Sequence, residues 1–397
     1  MTSTASAHPT LRFADLRGNG EYKTLFDAPG LYFTYNGRGA IYQFLRWLPE
    51  SYGDTVLLPA FHCPTVVDPA LHAGYQVRFF AINENLDIDH EDLLNKLDTR
   101  VAAVLIINYF GFPAKLGPLP DACRDAGAIL IEDCAHSFLR TDPCRLGGER
   151  GDVAVFSFKK LVPSEVGGGL RINREGLEFR PINGAIPWRE SLRTDKHLFE
   201  QAIENLDGGL FKRLYCSIEG ARVAYKNRRR STEDLTPERE LAFEYPFEEP
   251  LARARMGRIS RRILTAASFT EIARARRENY KAVLHTLRLT SRIRPVFDTL
   301  PDTVCPWAFP VILNGRSQID FSLREAGVPL FTFGETPHLA LRGEKELGQA
   351  TSRTVRHLRG NLLCLALHQR LSAEYVAAYC HTINAYLRHS LRDHNSL

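Results

Sequence analysis

The chain is poor in several residue types, and each scarcity narrows its chemistry. Its 397 residues include only two methionines and three tryptophans. None of its eight cysteines, at positions 63, 123, 134, 144, 216, 305, 364 and 380, lies in a C-x-x-C pair or at a zinc-ligand spacing. A zinc ribbon and a dithiol redox site are thereby excluded, and reduced thiols are expected. His62, His72, His136, His338 and His368 follow no ligand spacing either, so no metal is expected. No stretch reaches the roughly 18 uninterrupted apolar residues of a membrane span. The opening MTSTASAHPTLRF lacks the basic start and apolar run of a secretory leader. The expectation is a cytoplasmic protein with no membrane partner, and no internal repeat or low-complexity tract interrupts it.

Charge is also thin. The formal net charge of +5 is dispersed, and the densest basic runs, Lys226–Arg230 and Arg253–Arg262, interleave with apolar positions at helical spacing. They read as solvated helix faces, because no stacking aromatics alternate with the arginines. No nucleic-acid partner is expected.

What the chain does have is core. Hydrophobic residues make up 44% of it, enough for one large α/β domain with a smaller companion. Short runs rich in β-branched residues occur at Thr55–Pro59, Gln76–Ile82, Val101–Asn108, Ala128–Asp133 and Asp152–Phe158. Helical patterns fall at Gly39–Leu48, Thr65–Ala73, His90–Lys96 and Pro118–Ala126. This alternation predicts a mostly parallel sheet sandwiched by helices. The pattern weakens over a polar, basic middle from Arg180 to Pro250. It resumes with helices at Arg253–Leu264 and Phe269–Leu287, a strand at Trp307–Leu313, a helix at Gln318–Ala326, a strand at Asn361–Ala366 and a closing helix at Ala373–Leu387. We therefore expect a large domain over residues 1–250 and a smaller α+β domain over 251–397.

The most informative stretch is Ala128–Gly169. It sets an acid, Asp133, at the end of one buried strand and a lysine pair, Lys159–Lys160, just past the next. Parallel sheets bind ligands beyond the carboxyl ends of their strands, so these groups can share one crevice. A carboxylate there can keep a pyridine nitrogen protonated, and a neutral lysine can attack an aldehyde. The pairing points to pyridoxal 5'-phosphate. Glu132 should face the other side of its strand. Gly37-Arg38-Gly39 ahead of an amphipathic helix can offer backbone N–H groups to a phosphate at the positive end of the helix dipole, and the Ser157 hydroxyl is a second phosphate candidate.

These residues carry a resemblance. Asn36–Leu45 (NGRGAIYQFL), Val56–Val67, Ala73–Ala81, Asn108–Pro113 (NYFGFP), Ile131–Ser137 (IEDCAHS), Gly151–Lys160 (GDVAVFSFKK) and Leu362–Leu371 resemble, in order, blocks of the DegT/DnrJ/EryC1/StrS family. That family consists mainly of sugar aminotransferases of fold-type I. The resemblance implies a pyridoxal-phosphate-dependent transferase with a smaller C-terminal α+β domain, working as a homodimer. It implies Asp133 at the ring nitrogen, His136 near the phenolic oxygen, and the aldehyde-bonding lysine at Lys159 or Lys160, with Lys160 preferred and the other lysine left to phosphate or solvent. The loop between FSF and the lysine is shorter than the family's usual one. The family also places a flat side chain over the ring from the loop after Pro59, which here is His62, with Phe61 as the substitute. Glutamate is the implied amino donor, and a nucleotide-linked keto sugar or a specialised-metabolite intermediate the implied acceptor. Decarboxylation, elimination, or acyl or carbon–carbon transfer on the same fold stays open, as does a non-catalytic relative.

Overall fold

The apolar runs of the first half assemble into a seven-stranded sheet. In the computed structural model, which describes residues 6–18, 20, 23–141, 145–206, 212, 215, 246–338, 340 and 348–392, the strands are β1 (Leu31–Thr34), β2 (Thr55–Pro59), β3 (Gln76–Phe80), β4 (Val101–Ile107), β5 (Ile129–Asp133), β6 (Val153–Ser157) and β7 (Gly168–Ile172). Their order across the sheet is β1-β7-β6-β5-β4-β2-β3. Strands β3, β2, β4, β5 and β6 run parallel, and β7 runs antiparallel to both its neighbours. Every residue of β2, β4, β5 and β6 is buried. That is why they read as unbroken apolar runs, for a strand covered on both faces has no polar alternation. The cover comes from α1 (Gly37–Trp47), α2 (Val67–His72), α3 (His90–Lys96) and α4 (Leu119–Asp125). Helix α1 packs on β6, β7 and α2, while α3 meets α4 and β3, and α4 meets β5.

A second sheet follows, built from β8 (Ile293–Pro295), β9 (Ala308–Leu313), β10 (Leu330–Phe331) and β11 (Leu362–Ala366) in the order β10-β11-β9-β8, antiparallel throughout. Between the sheets lie α5 (Trp188–Glu204), α6 (Glu249–Ala252), α7 (Arg258–Ala266) and α8 (Phe269–Thr286). Helices α9 (Arg316–Glu325), α10 (Gln349–Asn361) and α11 (Ala373–Arg392) complete the second half, with α8 packed on α11 and β9. One hydrophobic cluster joins both sheets. Among the described residues no helix is long and apolar enough to cross a membrane.

Thr55–Pro59 and His90–Lys96 have the bounds expected from sequence, and most other elements differ by one or two residues. The helix expected over Arg253–Leu264 instead starts at Arg258. Before it, Ala254 forms an isolated bridge with Gly184, in which the Gly184 N–H donates to the Arg253 carbonyl at 2.8 Å and the Arg255 N–H to the Gly184 carbonyl at 2.9 Å. The basic run Lys226–Arg230 and the cysteines at 144 and 216 lie outside the described residues.

The N-terminal segment is strapped across the molecule. The Ser6 carbonyl lies 2.9 Å from His368 Nε2, the Leu11 N–H donates to Gln201 of α5 at 3.2 Å, and Asp15 pairs with Arg370. These anchors carry His8 into the region between the two sheets.

Candidate active site

Asp133 is the last residue of β5 and pairs in register with Val155 of β6. Because side chains alternate along a strand, Asp133 and Glu132 serve opposite faces. Glu132 is fully buried and saturated: it accepts from the N–H groups of Arg150 at 2.6 Å and Gly151 at 2.8 Å, from the Arg150 guanidinium at 2.8 Å and from Asn108 Nδ2 at 3.2 Å. It is a structural anchor. Asp133, also buried, takes one hydrogen bond among the described residues, from the Ala135 N–H to Oδ1 at 2.8 Å. Burial pushes its carboxyl up to about 6, against the Ala135 bond and the charge of Lys160, both of which hold it down.

The lysines sit on the connection from β6 to β7. Ser157 faces Gly168 across this hairpin, and a single tight turn over Phe158–Lys160 follows. That turn sends consecutive side chains different ways. Lys159 is exposed, and the charges it feels are those of Glu165, Arg38 and Cys63. Lys160 turns inward, with its Nζ 4.4 Å from the centre of the Trp307 ring. Burial lowers its pKa, and the neighbouring Asp133 opposes that while Lys159 adds to it. The turn is braced from the second half of the chain. Arg276 of α8 reaches the Lys160 carbonyl at 3.5 Å, and Gln369 Nε2 donates to the Leu161 carbonyl at 2.9 Å.

His136 lies in the turn after β5, buried, with its ring 3.9 Å from that of Trp307 at an interplanar angle of 19°. Its Nδ1 accepts the Phe110 N–H at 3.4 Å, which leaves the ring proton on Nε2. Burial, and then the charge of Lys160, hold its pKa well below the usual histidine range. It is a neutral donor.

Beside these groups stands the start of α1. Asn36 caps it, its side chain accepting the Gly39 N–H at 2.8 Å. Two close approaches need glycine. A Cβ on Gly168 would lie 2.2 Å from the Asn36 carbonyl carbon and 2.6 Å from Gly37 N, and one on Gly39 would lie 2.8 Å from the Ala252 carbonyl oxygen. The Ser157 side chain borders Gly37, its Cβ 3.6 Å from where a Gly37 Cβ would be. Gly37, Arg38, Ser157 and Lys159 thus form one polar corner, with Arg38 also donating to the Pro246 carbonyl at 3.3 Å.

His62 is placed differently from expectation. It is fully buried, lies parallel on Phe79 at 5.3 Å, and its Nδ1 sits 2.7 Å from the Pro59 carbonyl. Its Nε2 is buried with no partner, and burial lowers its pKa to about 3. The strand-end carbonyl and the ring on β3 hold it in the sheet's packing. Phe61 is likewise committed, to Tyr109 and Phe333. The rings beside Lys160 are those of Trp307 and His8, and sequence reasoning assigned neither to the site. The His8 ring lies nearly parallel to Trp307 at 6.3 Å and 5.2 Å from Phe331, and burial and the charge of Lys160 lower its pKa to about 4. The one available signal was the rarity of tryptophan, three in the whole chain.

An amine, a buried carboxyl, a neutral imidazole and a helix start with an adjacent hydroxyl are the groups that can hold a phosphorylated pyridine aldehyde. Comparison with known proteins bears on the fold and on part of the sequence. The chain resembles the solved aminotransferase TlmJ from Streptoalloteichus hindustanus over 97% of its own length and 98% of that chain, with a TM-score of 0.65 and 19% identity. Against Helicobacter pylori PseC, an aminotransferase involved in the biosynthesis of pseudoaminic acid, the values are 96%, 98%, 0.63 and 14%. These likenesses establish the fold, fold-type I. In sequence, the chain is 31% identical to a GDP-perosamine synthase of Vibrio cholerae over 143 residues, 35% of this chain and 39% of that one. It is 26% identical to a dTDP-4-dehydro-2,3,6-trideoxy-D-glucose 4-aminotransferase of Saccharopolyspora spinosa over 34% of this chain and 35% of that one. The chain thus matches about two fifths of the length of these curated relatives. Residues 32–171, which hold the seven-stranded sheet but for its first and last residues, Leu31 and Ile172, match the family model described as the DegT/DnrJ/EryC1/StrS aminotransferase family.

Proposed function

We propose that the protein is a pyridoxal-phosphate-dependent aminotransferase that moves an amino group from an amino acid, with glutamate as donor, to a keto sugar. The observation that carries this reading is the meeting of Asp133 and Lys160 at the carboxyl edge of the sheet. Asp133 is a buried carboxylate without a counter-ion in hydrogen-bond contact, and Lys160 a half-buried amine without a hydrogen-bond acceptor, among the described residues. Each lacks what the cofactor would bring, a cationic ring N–H for one and an aldehyde carbon for the other. The corner of Gly37, Arg38, Ser157 and Lys159 suits the phosphate, and the neighbouring Gly39 and Gly168 have no room for a side chain.

Pyridoxal phosphate, when bound, supplies a ring that accepts the electron pair of a breaking Cα–H bond. The chain's own groups do the rest. Asp133 holds a proton at the ring nitrogen, and that cation in turn depresses the carboxyl's pKa from its raised value. Lys160 would hold the aldehyde carbon and, when free, would move a proton between Cα and C4′. Its burial favours the neutral amine that both tasks require. His136 offers its Nε2–H to the phenolic oxygen. The proposed acceptor, a nucleotide-linked keto sugar, follows the substrates named for the relatives above. A homodimer in the cytoplasm is proposed from the family resemblance alone, with the second protomer completing the phosphate side.

The test is borohydride reduction of the protein loaded with pyridoxal phosphate, followed by peptide mass mapping, and then glutamate-dependent conversion of the cofactor to its amine form. Covalent cofactor on Lys160 and conversion by glutamate are expected. Cofactor fixed on neither lysine would reject the reading, and fixation without conversion would reject transamination.

A further inference from the structure

Lys160 poses a problem that the proposed reaction leaves open. The residue is half-buried, yet among the described residues its amine makes no hydrogen bond to an acceptor and no ion pair, and the group against it is the face of Trp307 at 4.4 Å. An indole face attracts an ammonium through its quadrupole, more strongly when water is excluded. Trp307 itself is held on all sides. Its backbone N–H donates to the Phe110 carbonyl at 2.8 Å, its ring lies along those of His136 at 3.9 Å and Phe110 at 6.0 Å, and Phe331 sits 4.9 Å away. Arg276, fully buried, donates to the Trp307 carbonyl at 2.9 Å and to the Lys160 carbonyl at 3.5 Å. One guanidinium therefore fixes the backbones of both residues, and with them the distance from ring to amine.

We propose that Trp307 is the positioning residue for Lys160: the indole is the seat on which the amine rests whenever it is not bonded to an aldehyde, and it keeps that amine protonatable in spite of its burial. This deepens the aminotransferase reading and rests on it, because an amine that must bond an aldehyde and then carry a proton has to return to the same place in each half of the cycle. The charged and titratable groups facing Lys160 are Asp133 at the end of β5, His136 in the turn after it, Lys159 alongside, Cys63 after β2, Cys364 on β11, His8 on the N-terminal strap and Arg276 on α8. The Asp133 carboxylate favours the ammonium, while burial and Lys159 disfavour it. The indole adds to the carboxylate a contribution that does not itself titrate.

The test is competitive acetylation of the full-length protein across pH 6 to 11, after hydroxylamine has removed any bound aldehyde, with the extent at Lys160 and Lys159 read by peptide mass mapping. In Trp307→Leu the half-labelling pH of Lys160 is expected about 0.4 to 1.5 pH units lower than in the parent, the span of a cation–π contact. In Trp307→Phe it should fall between the two, with Lys159 unmoved in both. An unchanged Lys160 profile overturns the proposal. A rise also overturns it, since the indole would then only have excluded water. Should Trp307→Leu fail to fold by near-ultraviolet circular dichroism, Trp307→Phe carries the same test. Acetylation needs no cofactor, so failure to capture pyridoxal phosphate would sink the aminotransferase reading without touching this measurement, and an unmoved profile would sink this inference alone.

Discussion

Replacing Asp133 with asparagine is expected to make the cofactor-free protein more stable while disabling its chemistry. The side chain is buried, and burial is the largest influence on its carboxyl, raising it from 3.8 to about 6. A shift of about two pH units corresponds to about 3 kcal/mol. The sign follows from the two states. Below about pH 4 the carboxyl is protonated whether the chain is folded or not, and contributes nothing to the balance. Above about pH 6 it is ionised in both, and the folded state carries the full cost of an enclosed charge. Asparagine retains the Oδ1 that accepts the Ala135 N–H but no charge, so Asp133→Asn should gain about 3 kcal/mol at pH 7.5, fading as pH falls from 6 to 4. With unfolding entropy of about 2 cal/mol/K per residue, a chain of this length should show this as a Tm rise of about 3 to 4 °C. Differential scanning fluorimetry of cofactor-free protein at pH 4.5 and 7.5 provides the measurement, and conversion of bound pyridoxal phosphate by glutamate should fall at least a hundredfold in the same variant. No gain at pH 7.5, or the same gain at pH 4.5, would refute the account of Asp133 as a desolvated charge awaiting a cationic partner.

Glu132→Ala should behave in the opposite way, because it strands the N–H groups of Arg150 and Gly151 and leaves the Arg150 guanidinium without its carboxylate. A loss of about 3 to 5 kcal/mol in denaturant titrations is expected, with cofactor capture intact in whatever remains folded; a loss below 1 kcal/mol would contradict the network described. His62→Phe keeps the stack on Phe79 and removes a buried nitrogen with no partner. Cofactor affinity by fluorescence quenching should change by less than about threefold, and a tenfold loss would instead place His62 on the cofactor.

The strands of the large sheet were legible because burial on both faces leaves no other composition for β4 or β6 than an unbroken apolar run. Strands β1 and β7 were not legible, the first being four residues long and the second opening on two glycines whose reason is the nearby start of α1. Helix α10 was missed for a related reason: the run QATSRTVRHLRGN is largely polar, so its amphipathic stripe is faint. In the site, Asp133 and the lysine pair could be found because they sit at strand ends, where the connection between local sequence and position in the sheet is short. The stack of His62 on Phe79 was not legible, because its direction depends on which carbonyl and which ring a single loop residue finds, and neither is a property of its neighbours in the chain.

Sequence alone determined the α/β class, the alternation of strand and helix, and the edge of the sheet at which an acid and an amine would be found, since strand period and burial are written residue by residue. Only the tertiary structure decided which lysine turns inward, that His136 is neutral, and that Trp307 and His8 border the amine. Those outcomes depend on α8, β9 and the N-terminal strap closing on the large sheet, and desolvation and ring contacts arise from what packs against a group, whatever its distance along the chain.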